Sequence, residues 1–170
     1  MNFENAVEVV LRLEGGLSNR DKEADPGLLT NWGISLRAFP ELGEEGIRNL
    51  TREDAKKIYF DYFWKDRKIE KLPEYLKLPV FDFGIHSSPT RAARELQIGL
   101  TTYGKTILVD GFIGKQTAAA AKAVDPEEFL ASYQLRRIRF LRALKNYEPN
   151  KTGWEKRVLI ITARSDLPEG

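Results

Sequence analysis

The chain has 170 residues, 42% hydrophobic and 31% charged, and its 27 basic and 25 acidic residues leave a net charge of +2. Such a composition argues against disorder and allows a core of its own, and the charge balance gives no ground for a nucleic-acid or membrane partner. With no cysteine and a single histidine, His86, disulfides, thiolate metal sites and a zinc centre with two or three histidine ligands are excluded, and no metal or cofactor is expected.

The opening MNFENAVEVV has no basic start and no long apolar run, so no signal peptide is expected. No window reaches the ~18 apolar residues of a membrane span. Phe3, Val7, Val10, Leu11 and Glu14 recur at helical spacing, which puts Glu14 on the inner stripe. Gly15-Gly16 end that helix. Leu17 to Trp32 is polar and irregular, with a turn at Pro26-Gly27 and a short strand or hairpin arm over Leu28 to Trp32. Ser35 is placed to cap a short helix over Leu36 to Phe39, and Pro40 to Gly46 reads as a loop.

Thr51 with Asp54 approximates a capping box for a helix whose inner stripe is Ala55, Ile58, Tyr59, Tyr62 and Phe63. The charged run Lys65 to Lys71 is a connector. Pro79 reads as the first-turn proline of a buried helix through Ile85, and Ser88-Pro89 starts the next one. Asp110-Gly111 and Gly114 make a turn before an alanine-rich helix over Thr117 to Val124. Asp125-Pro126-Glu127-Glu128 opens a helix to about Asn146, and a last helix covers Trp154 to Ala163. With no repeat and no Gly/Ser linker, residues 1–170 read as a single, mainly helical domain.

The stretch from Glu14 to Gly33 carries the chemistry. An inner-stripe position and the negative end of a helix both disfavour a charged Glu14, which favours the protonated carboxyl that a general acid needs. Asp25, in a polar turn, stays ionised. Two carboxyls with such opposed surroundings suit glycoside hydrolysis. The Thr30 hydroxyl can hold a water or the second carboxylate. Asn31, Trp32 and Gly33 offer a sugar an amide, a flat face and close backbone approach, and Trp64 is a second aromatic expected near the cleft. Each group also has a plainer reading, as a surface helix end, a turn or an aromatic plug. His86 beside Ser87 and Ser88 lacks a GxSxG elbow, so a serine hydrolase is not expected. Asp82, inside an apolar helix, reads as a structural buried acid with a hydrogen-bond partner. Arg136, Arg137, Arg139 and Arg142 read by default as a solvated face.

Glu14-Gly15-Gly16, Asp25-Pro26-Gly27 and Thr30-Asn31-Trp32-Gly33-Ile34 resemble the N-terminal signature of glycoside hydrolase family 108, lysozyme-like N-acetylmuramidases that include phage endolysins. Further along, Leu50 to Trp64 resembles the family's second helix. Asp110-Gly111-Phe112-Ile113-Gly114 and Gly153-Trp154 with Arg157-Val158 resemble the peptidoglycan-binding segment, here residues 80–160, integrated into the same fold. Two positions depart from the pattern. Leu28 stands where a second glycine is usual, and His86 where asparagine is common. The Glu-Asp-Thr order also resembles the triad of other phage lysozymes, with somewhat different spacing.

The resemblance implies a lysozyme-like helical domain with at most a small β-hairpin near the active site. It implies Glu14 as general acid with Asp25 and Thr30 as its partners, and Asn31, Trp32, Gly33 and Trp64 toward substrate. The expected activity is cleavage of the β-1,4 bond between N-acetylmuramic acid and N-acetylglucosamine in peptidoglycan. A lytic transglycosylase or a non-catalytic wall-binding module are the alternatives. A monomer without stable membrane association is expected, made in a host cytoplasm and acting on the wall or periplasm after release.

Overall fold

The computed structural model describes residues 1–15, 18–19 and 29–166. Asp25 and Leu28 lie outside the described residues. The first helix, α1 (Phe3–Glu14), starts where the Asn2 side chain accepts from the Asn5 amide at 2.9 Å. It buries Ala6, Val7, Val10 and Leu11 and ends at Glu14, as its spacing predicts. Gly15, at φ +74°, turns the chain out of the helix.

A small antiparallel sheet follows, β1 (Ser18–Asn19), β2 (Leu29–Asn31) and β3 (Ile34–Ser35) in that order. It is one strand larger than the expected hairpin. Thr30 lies opposite Ser18 on one side and Ser35 on the other. Leu29 and Asn31 are buried, and Thr30, pointing to the other face, is half-buried. No helix forms over Leu36 to Phe39; Ser35 Oγ accepts from the Ala38 amide at 3.2 Å in a turn instead. The expected loop from Pro40 holds a 3-10 turn (Pro40–Leu42) and α2 (Gly43–Asn49). Only Ile47 of α2 is buried, so no apolar period reveals it in the sequence.

Thr51 and Asp54 form the full capping box of α3 (Arg52–Ile58), which continues through a wider π-helical stretch, Tyr59–Lys65. Trp64, expected near the cleft, is instead a core residue. It is 5% exposed and meets Phe3 and Phe81 edge to face, with ring centres 5.6 and 5.2 Å away.

Helix α4 (Glu74–His86) is the centre of the molecule. Its residues from Leu78 to Gly84 are all buried, and α1, α5, α7 and α8 pack on it. A helix apolar on every side can only sit inside. Pro79 lies within this helix and not in its first turn. Pro73 at the N-cap sets the start, and the covering helices tolerate the missing amide. Ser88 caps α5 (Pro89–Thr102), and α6 (Lys115–Lys122), α7 (Pro126–Arg142) and α8 (Tyr147–Ala163) complete the fold. Asp125 caps α7, accepting from Glu128 at 2.8 Å. Helix α8 begins before the expected Trp154, because Glu148 to Gly153 is too polar to show a stripe.

The turn after α5 is fastened by one buried amide. Gln97 Nε2 donates to Asp110 Oδ1, to the Phe112 carbonyl and toward Thr117 Oγ1 at 2.8, 3.0 and 3.3 Å, while its oxygen accepts from the Gly111 amide at 2.8 Å. Gln97→Leu strands these groups, and each buried orphan costs about 1 to 3 kcal/mol. The urea midpoint of Gln97→Leu is therefore expected to fall well below that of wild type, by an amount worth about 2 to 4 kcal/mol.

Candidate active site

The β2–β3 connection is a two-residue turn, Trp32-Gly33, with φ +51° and +78°. Both residues in the left-handed region is the form that matches the twist of a tight hairpin. Glycine adopts it freely, whereas tryptophan adopts it at a cost that other contacts must offset. Three contacts hold it here. The Trp32 indole N–H donates to the Leu50 carbonyl at 3.2 Å, and the Tyr59 hydroxyl donates to the Trp32 carbonyl at 2.8 Å. The neighbouring Asn31 amide donates to the carbonyls of Ile47, Arg48 and Leu50 at 3.1, 3.3 and 3.1 Å, which ties the sheet to the end of α2.

This turn lies directly against Glu14. A Cβ added to Gly33 would stand 2.3 Å from the Tyr59 hydroxyl oxygen and 2.7 and 2.9 Å from Cγ and Cδ of Glu14. The close approach anticipated for Gly33 therefore serves the carboxylate and Tyr59. Asn31 corrects its expected role more fully: it is 6% exposed, and its amide nitrogen is engaged by helix carbonyls, so it supports the turn from behind. Trp32 is half-buried against the core.

On the other side of Glu14 stands Arg157 of α8. Its Nη2 donates to Glu14 Oε1 at 2.6 Å. The same guanidinium grips Asp82 of α4, with Nε at 3.0 and 3.2 Å from the two carboxylate oxygens and Nη2 at 2.7 Å from Oδ1. Asp82 also receives Arg137 of α7 at 2.7 Å, and both are 0% exposed. Arg137 further lies 3.2 Å from His86 Nδ1 and over the Phe83 ring at 5.2 Å. Burial alone would push the Asp82 carboxyl up; the two guanidinium groups outweigh it and hold the carboxyl below the usual carboxylate range. Burial, then Arg157 and Arg137, pushes His86 down to about 3, so the ring is neutral and its Nδ1 accepts from Arg137. Burial and the Glu14 charge raise the Tyr59 hydroxyl well above its ordinary value, so it stays a donor to Trp32.

Sequence reasoning counted burial and the helix end at Glu14 but not a cation, and Arg157 is the residue it missed. The Gly153-Trp154/Arg157-Val158 block was the available signal, since positions three apart share one face of a helix. Asp82 is the structural buried acid that was expected, and Arg137, expected on a solvated face, is its buried partner. Glu14, Arg157, His86 and Trp154 line a groove of about 640 Å³ between the ends of α1 and α4 and the first turns of α8. Among the described residues Glu14 is its one carboxylate. Thr30 sits on β2 next to the Trp32-Gly33 turn; Asp25 falls in the sequence between β1 and β2, outside the described residues.

Comparison with known proteins bears on what this groove does. Residues 7–87 match the model described as Glycosyl hydrolase 108, and residues 91–159 match that of a Predicted Peptidoglycan domain. The N-terminal stretch is thus similar to a glycosyl hydrolase 108 domain and the C-terminal stretch to a peptidoglycan domain. Together the two matches support a glycoside hydrolase acting on peptidoglycan. Its fold is similar to that in the structure of Brucella abortus SagA, with TM-score 0.84 and 29% identity over 95% of this chain and 92% of that one. None of the curated proteins compared matches. The two matched stretches meet at the groove, the first contributing Arg12, Glu14 and His86 and the second Trp154, Lys156 and Arg157.

Two outcomes follow for this site. Gly33→Ala is expected to cut peptidoglycan turnover at least tenfold, because the methyl displaces the Glu14 carboxyl, while far-UV circular dichroism stays close to wild type. His86 gives a pH signature. Its folded value is lowered, so the stability it confers is complete above about pH 6.5 and is lost as pH falls toward about 3. Wild type should lose stability over that range faster than His86→Asn, by up to about 1.4 kcal/mol per pH unit. Parallel melting profiles for the two would remove His86 from the account.

Proposed function

We propose that this protein is an N-acetylmuramidase that hydrolyses the β-1,4 bond between N-acetylmuramic acid and N-acetylglucosamine, with Glu14 as general acid. The observation that carries the reading is the Glu14 carboxyl fixed at the groove by Arg157 on one side and by the Trp32-Gly33 turn on the other. Arg157 bonds only Oε1 of Glu14, so Oε2 is left to carry the proton. A neutral carboxylic acid still accepts from Arg157 through its carbonyl oxygen, so orientation survives protonation.

In the step itself Glu14 gives its proton to the leaving glycosidic oxygen as the sugar takes on oxocarbenium character. Asp25 with Thr30 orients the attacking water or faces the developing positive charge. That assignment is supported by their order in the family signature and by the place of Thr30 beside the Glu14 turn. A protein with this activity acts on the wall or periplasm after release from the cell that makes it.

Digestion of purified peptidoglycan, with products read by mass spectrometry, tests the reading. Wild type should yield new reducing N-acetylmuramic acid ends, and Glu14→Gln should lose at least about 100-fold in rate, the usual scale of a lost general acid. Asp25→Asn and Thr30→Ala should also lose activity and keep the fold. Anhydro ends in the wild-type digest would replace the muramidase with a transglycosylase, and binding to an undegraded wall would leave a module without catalysis.

A further inference from the structure

The groove beside Glu14 carries charge that the proton transfer does not use. Arg157 is committed to Glu14 and Asp82. Arg12, in the last turn of α1, and Lys156 of α8 also line the groove, and both are exposed. Neither makes an ion pair or a side-chain hydrogen bond with another described residue. Other charges on α1, α8 and the helices beside them behave otherwise. Lys151 of α8 pairs with Glu148 at 3.1 Å, Arg142 with Glu155 at 2.7 Å, and Lys56 and Arg52 of α3 both pair with Glu8 of α1. Among the described residues, Arg12 and Lys156 are thus two unpaired cations along a groove whose one carboxylate pairs with Arg157.

Trp154 lines the same groove, half-buried and held edge to face by His86 and in a tilted contact by Tyr147, with ring centres 5.4 and 6.2 Å away. A fixed indole offers a flat apolar surface to a sugar face or a peptide methyl. Exposed cations beside it attract an anion and hold it with hydrogen bonds to carboxylate oxygens. Peptidoglycan supplies that combination, since every N-acetylmuramic acid can carry a short stem peptide with free carboxylates, whereas a bare glycan of N-acetylated sugars is neutral apart from its lactyl groups.

The geometry points to this groove as a binding site for the stem peptide of the substrate, with Arg12 and Lys156 taking its carboxylates and Trp154 lying against the sugar or peptide in the same groove. The inference rests on the muramidase reading and adds to it a substrate class: glycan strands that still carry acidic peptides. Arg12 and Lys156 are specificity-determining residues in this account, and they take no part in the proton transfer.

The test compares two soluble substrates, peptide-bearing glycan strands and the same strands stripped by an N-acetylmuramoyl-amidase. New reducing ends are counted for wild type and for the double variant Arg12→Gln/Lys156→Gln. Wild type should cut the peptide-bearing strand with kcat/KM at least ~10-fold higher, the preference shrinking as salt rises. The double variant should lose at least fivefold more on peptide-bearing than on stripped strands, chiefly through KM. Equal wild-type rates on the two strands, or equal losses on both in the variant, would overturn the stem-peptide site and leave the muramidase reading standing. If wild type cuts neither strand, both fall.

Discussion

A buried carboxylate between two guanidinium groups holds the rest of the site in place. Asp82 is fully enclosed in α4, and taking an ion out of water costs several kcal/mol unless it is well paired. Arg137 and Arg157 both reach it, at 2.7 Å each, from α7 and α8. Because neither cation can leave without stranding a buried charge, the three helices are locked in one arrangement at this level. Glu14 accepts from Nη2 of Arg157, the same nitrogen that holds Asp82. Its carboxyl is thereby referred to the centre of the protein, although it sits at the last residue of α1, where helices ordinarily fray.

The opposite wall of the site is built by a different device. Trp32 sits in the left-handed region because its indole, its carbonyl and the neighbouring Asn31 amide are all satisfied by α2, the segment after it and Tyr59. That places the bare backbone of Gly33 within contact of Glu14. A polar lock on one side and a pinned turn on the other give the carboxyl one position and leave one of its oxygens for chemistry. Pre-organisation of this kind is where most of an acid catalyst's advantage over free carboxylic acid in water arises.

Helical periodicity made α1, α3 and α5 legible, and cap chemistry marked the starts of α5 and α7, because in each the buried stripe or the capping residue is local in sequence. Helix α2 and the start of α8 were not legible, since their packing face is nearly polar and their order comes from neighbours. The same distinction holds at the site. Glu14 could be singled out from its place on the stripe and from the glycines after it. Asn31 and Trp64 were assigned to the cleft on residue type, whereas long-range contacts decide where they go, into a helix terminus and into the core. Arg157 is 143 residues from Glu14 in sequence, and no local rule pairs them.

The most direct test of this dependence is the turnover of soluble glycan strands by Asp82→Asn, measured well below its melting temperature. Asp82 is 0% exposed and touches no substrate, so a purely structural role would lower stability and leave the kinetics of the folded enzyme alone. If Asp82 sets the position of Glu14 through Arg157, kcat falls at least ~10-fold with KM little changed, since the lost interaction acts in the transition state. A folded Asp82→Asn with wild-type kcat would contradict the account.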